Sequence, residues 1–133
     1  MDSLTVEGRA ASRLLAEKDA LAHAITVALF TEMPELDQRY GPIGRQKCDQ
    51  DMRYTVEHLM PAVDLGDPSL FTRYVAWLDS LLRARNVTTR ELVRCLEHMD
   101  AVVRDRFPAD EAAAVSQCIR PGLALLTTAP EPA

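Results

Sequence analysis

Three histidines and three cysteines are the side chains best suited to chemistry in this chain of 133 residues. His23 lies between alanines on the secondary face of a helical stretch, and His58 and His98 each flank an apolar stripe. An imidazole so placed can act as axial ligand to a haem-like ring or as a pH-sensitive contact. The plainer use is a hydrogen-bonded side chain at the edge of the core, and the pattern does not select among the three. Cys95 and His98 stand three residues apart on one side of a helix, which is metal-ligand spacing, but two ligands are half a site. Cys48 and His58 complete it only if their helix touches that of Cys95; otherwise Cys95 is a small core residue. No metal site is therefore assigned. Tyr54, Phe71, Tyr74 and Trp77, with His58 and His98 beside them, are candidates to line a flat apolar pocket for a tetrapyrrole-type ligand between helices. An aromatic row at helical spacing serves equally well as plain core.

Catalytic patterns are missing. The chain has no G-x-S-x-G, no P-loop, no G-x-G-x-x-G and no H-E-x-x-H. It has no E-x-x-H for a di-iron bundle, and no pair of carboxylates stands on an apolar stripe. No catalytic residue is assigned, and an enzyme is not expected. Arg83, Arg85, Arg90 and Arg94 crowd one joint, as a solvated rim or as an anion or partner contact. The net charge of −5 argues against nucleic acid as the partner. An odd number of cysteines without paired spacing suggests reduced thiols in a cytoplasm. The N-terminus lacks the pattern of a signal peptide, and the longest uncharged run, Ala20 to Thr31, is too short to cross a bilayer.

The elements that position these residues all read as helices, giving one all-α domain over residues 1–133, a five-helix bundle of globin-like outline with its ordered core over about 9–126. Met1 to Gly8 reads as a frayed lead-in. Helix one, Arg9 to Glu32, carries Leu14, Leu21, Ile25, Ala28 and Leu29 on one face and His23, Val27 and Phe30 nearly opposite. Such a helix is central or dimerises, so His23, Val27 and Phe30 are the candidates for a homodimer interface. Across a two-fold contact, His23 would approach its own copy and weaken association as pH falls. Pro34 to Pro42 is a loop with room for one helical turn. Helix two starts near Gly44 with Cys48, Met52, Val56, Leu59 and Val63 inward, and Pro61 predicts a kink or an early end near Met60.

Gly66 to Met99 has the clearest punctuation. Asp67 is an N-cap with Pro68 at the first helical position. Two apolar rows follow, Leu70-Tyr74-Trp77-Leu81 and Phe71-Val75-Leu78-Leu82, and Trp77 is expected at the centre of the core. Thr88 and Glu91 form a T-x-x-E capping box, with Val87 and Leu92 as a hydrophobic staple. The short joint from Arg83 to Val87 predicts antiparallel packing of the two helices. Helix four ends at Phe107-Pro108. Helix five begins near Ala109 with Val115, Cys118, Ile119, Gly122 and Leu126 inward and a bend at Pro121, before a Pro-rich tail over 127–133.

Cys48, Asp51 and Tyr54, spaced by three, precede a D-P-x-L-F-x-x-Y-V-x-W-x-x-x-L-L-x-x-R segment carried by Asp67, Pro68, Leu70, Phe71, Tyr74, Val75, Trp77, Leu81, Leu82 and Arg85. Over about residues 45–126 the chain resembles the helical domain found upstream of the cobalamin-binding region in some bacterial cobalamin-dependent sensory and regulatory proteins. It departs from that pattern at Thr55, where a histidine is usual, and at His58, where an aromatic is common. Val87 and Thr88 replace the E-H that follows Trp77 in the family's W-x9-E-H cap, and no D-x-H-x-x-G is present. The resemblance implies a regulatory helical module and does not imply that this chain binds cobalamin. The resulting expectation is a non-enzymatic sensory or regulatory module acting through contacts with itself or a regulatory protein. The alternative is a globin-like sensor or carrier of a tetrapyrrole-type ligand.

Overall fold

The computed structural model describes residues 5–128, and among them every regular element is an α-helix. Among the described residues there are six helices rather than five. α1 spans Val6–Glu32, α2 Glu35–Tyr40, α3 Gly44–Leu65, α4 Pro68–Ala84, α5 Thr89–Arg106 and α6 Ala109–Thr128. The extra element, α2, occupies the stretch expected as a loop. Leu36, 2% exposed, anchors it to the core, and Gly41 ends it at a φ of +73°, where glycine is favoured.

Local punctuation sets most boundaries. Thr5 caps α1 by accepting from the Gly8 amide at 3.0 Å, so the helix begins ahead of the expected Arg9 and takes in part of the presumed lead-in. α3 continues past Pro61 to Leu65. Pro61 is exposed, and the αL residue Gly66 closes the helix with the Asp67 amide donating to the Ala62 carbonyl at 2.9 Å. The Asp67 cap and Pro68 start of α4 stand as expected, with the Ser69 amide 3.1 Å from the Asp67 carboxylate. α6 likewise runs through Pro121 to Thr128, which places the first two residues of the expected tail in a helix; 129–133 lie outside the described residues.

The two long terminal helices organise the core. α1 packs on α3, α5 and α6, while α6 reaches α1, α3, α4 and α5. α4 and α5 touch little despite their short joint, because α6 packs against both. The close packing of these two helices expected from the joint length is therefore slight. α6 approaches α4 closely at Gly122, where an added Cβ would lie 3.2 Å from Val75 Cγ2 and 3.6 Å from the Phe71 ring. That contact selects which row of α4 points inward. Phe71, Val75, Leu78 and Leu82 are buried against the core, and the other row lies at its margin. Arg9 and Arg13 fasten the far end by pairing with Asp110 and Glu111 of α6.

Candidate functional site

Trp77 is not in the core. It is 57% exposed, and Tyr54 on α3 is 48% exposed. Both belong to one face made by α3 and α4. The His58 imidazole stacks on the Tyr74 ring at 4.1 Å with an interplanar angle of 11°, and Trp77 lies 5.7 Å from Tyr74 on the other side. The α3 backbone orients the imidazole, since His58 Nδ1 donates to the Tyr54 carbonyl at 2.8 Å. The Tyr74 hydroxyl is 3.4 Å from the Thr55 hydroxyl, and burial pushes its phenol above the ordinary value. Three of the six pocket candidates, His58, Tyr74 and Trp77, therefore come together, with exposed His58 and Trp77 flanking the buried Tyr74, and exposed Tyr54 stands one turn before His58 on α3. Phe71, at 0% exposure, lies beneath them in the core. His98 is elsewhere: its Nε2 is 2.7 Å from Glu32 at the end of α1, a carboxylate that Arg94 also holds at 2.9 Å.

A second feature is a cavity of about 330 Å³ walled by α1, α2 and α3, the end of α4 and the start of α5. α3 and α5 do not pack directly on each other, and Cys48 of one and Cys95 of the other line the cavity between them. The two thiols act on each other: Cys95 lowers the Cys48 thiol, and Cys48 together with burial raises Cys95. The Thr26 hydroxyl, 3.5 Å from Cys48 Sγ, supports the more acidic partner. A disulfide needs Cα atoms within about 7 Å, so this pair stays as two thiols unless the helices move together. No histidine lines the cavity with the thiols, and no group of three or more metal-binding side chains occurs among the described residues.

At the start of α5 the capping box has a second use. Glu91 accepts from the Thr88 amide at 2.9 Å and the Thr88 hydroxyl at 2.6 Å, then from the Tyr40 hydroxyl of α2 at 2.6 Å. Burial pushes the Glu91 carboxyl up, but these bonds and the Arg39 charge bring it below its ordinary value. Thr88 itself remains a structural cap. Thr88→Ala is expected to lower stability by about 1 kcal/mol without changing any binding activity. Loss of binding at unchanged denaturation midpoint would contradict that.

The helix-one interface does not survive as a set. Phe30 is 2% exposed, buried between α1 and α3 with the Arg45 guanidinium 5.0 Å over its ring. Of the face seen in the sequence as unpartnered, only Phe30 is covered by α3 in the same chain. Val27 remains 40% exposed, and His23 is exposed beside Asp49, at 3.9 Å. The arginine cluster is divided as well. Arg83 pairs with Asp79 and Arg94 with Glu32, while Arg85 lines the cavity. Sequence reasoning had singled out Cys48 and Cys95 but had no means to place Tyr40, Asp51 and Glu91 on the same cavity. Comparison with protein-family models gave no match, and comparison with curated proteins gave none either.

Proposed function

We propose that this protein is a non-enzymatic regulatory module that docks a partner protein on the α3–α4 aromatic face. One observation carries the reading. The only tryptophan of the chain is 57% exposed beside a stacked histidine–tyrosine pair. Large aromatic side chains in water cost free energy that a docked surface recovers, and Trp and Tyr dominate binding hot spots. The residues that carry the resemblance to cobalamin-dependent regulators support the same face, because Tyr54, Tyr74 and Trp77 belong to it. No catalytic constellation competes with this role among the described residues, and the three free thiols suit a reducing cytoplasm.

The test is to replace Trp77 by a photo-cross-linking phenylalanine analogue in the producing cells. Irradiation should join the chain to one discrete protein, a second copy or a regulatory partner, and the same analogue at exposed Ala113 on α6 should not. Equal and diffuse labelling from both positions would contradict the proposal. A second reading, a globin-like carrier of a tetrapyrrole-type ligand, is favoured by the same flat stack, with His58 Nε2 as the ring nitrogen left for a ligand. Such a ring would have to lie on the open face, since no histidine lines the cavity. A visible absorption band in the purified protein that is lost in His58→Ala would favour it.

A further inference from the structure

The cavity beside the thiol pair is a separate feature, and its chemistry differs from that of the aromatic face. Its wall is chiefly apolar, with Leu29, Phe30, Leu36, Met52, Leu82 and Leu92 all buried. The polar groups deepest in it already have partners. Glu91 is held by Thr88 and Tyr40, and Cys48 by Thr26. The interior therefore offers a guest contact area and asks for no hydrogen bond in return.

The mouth is different. Lys47 and Arg85 line it, both are exposed, and neither has a carboxylate within ion-pair distance among the described residues. Two carboxylates also line the cavity: Glu91, which Arg39 faces at 3.4 Å, and Asp51, whose carboxyl burial raises while Arg85 and Lys47 pull it down. Lys47 and Arg85 are the exposed charges of the lining and set two cations beside an apolar hole.

We infer that this cavity binds a compact apolar molecule bearing a single anionic group, its body between α1, α3 and α5 and its head between Lys47 and Arg85. At about 330 Å³ the space lies at the small end of ligand pockets, which suits a medium-chain carboxylate better than a polycyclic cofactor. The charged head would stay in the wet mouth, where desolvation costs least. The site is independent of docking at the α3–α4 face and would let a small acid act on a module whose partner binds elsewhere.

Octanoate, octanol and octylamine serve as probes in calorimetric titrations of the full chain. Octanoate is expected to bind saturably, one per chain, and about tenfold or more tighter than octanol or octylamine. The double variant Lys47→Ala/Arg85→Ala is expected to weaken octanoate by about tenfold and to leave octanol nearly unchanged. A second readout needs no variant. Iodoacetamide labelling of half-buried Cys48, located by mass spectrometry apart from buried Cys95 and Cys118, should slow when octanoate is present. Octanol binding as tightly as octanoate, octanoate unaffected by the double variant, or no saturable binding with Cys48 labelling unchanged would each overturn the inference.

Discussion

Truncating Phe71 to alanine is expected to remove about 3–5 kcal/mol of stability, whereas Trp77→Ala should cost less than about 1 kcal/mol. The two residues sit six apart on the same helix and are both large aromatics, so composition and propensity do not separate them. Burial does. Phe71 is 0% exposed and abuts the α6 backbone where Gly122 lets the helices close, while Trp77 is 57% exposed. Removing the Phe71 ring opens a cavity between α4 and α6 that rigid backbone contacts cannot fill. For a domain with about 5–15 kcal/mol in hand, that is a large part of the total. Paired urea titrations of the two variants check the prediction, and a larger loss for Trp77→Ala would reverse the assignment of faces.

Glu91→Ala is expected to cost about 3 kcal/mol, more than any cap alone, because it strips a buried carboxylate of its role in two helices. The Tyr40 hydroxyl would lose its acceptor, and the Thr88 amide would lose the partner that starts α5. The pH dependence follows from the direction of its titration. The folded-state carboxyl titrates below its ordinary value of 4.5, so its contribution is complete above that pH and is lost as the pH falls through the depressed value. Glu91→Gln, which cannot titrate, should be less stable than wild type at pH 7 and converge with it in acid. Stability profiles that stay parallel from neutral pH into acid would show that Glu91 does not titrate in this network.

Elements with local signals were legible in the sequence. The Asp67-Pro68 start, the Thr88–Glu91 box and the inward stripe of α6 each depend on residues a few positions apart, and each stands as expected. What failed depends on contacts between distant segments. The two rows of α4 lie about 100° apart, and which faces inward is decided by Gly122 of α6, forty-odd residues away. Phe30 looked unpartnered because nothing near it in sequence reveals that α3 covers it. Pro61 does not end α3: it is exposed, and the helix continues through buried Ala62 and Val63 to Leu65. The candidate site divided the same way. The aromatic residues were recognised, but whether they lined a pocket or a surface was a tertiary fact, and the cavity joins residues from five helices.

The most direct test of docking at the α3–α4 face is the fluorescence of Trp77, the single tryptophan of the chain. In the isolated protein its emission should be that of an indole in water and should be quenched readily by acrylamide. On forming the complex with the partner captured at position 77, emission should shift to the blue and quenching should fall. A buried indole in the isolated monomer, or a water-like emission unchanged in the complex, would contradict the account.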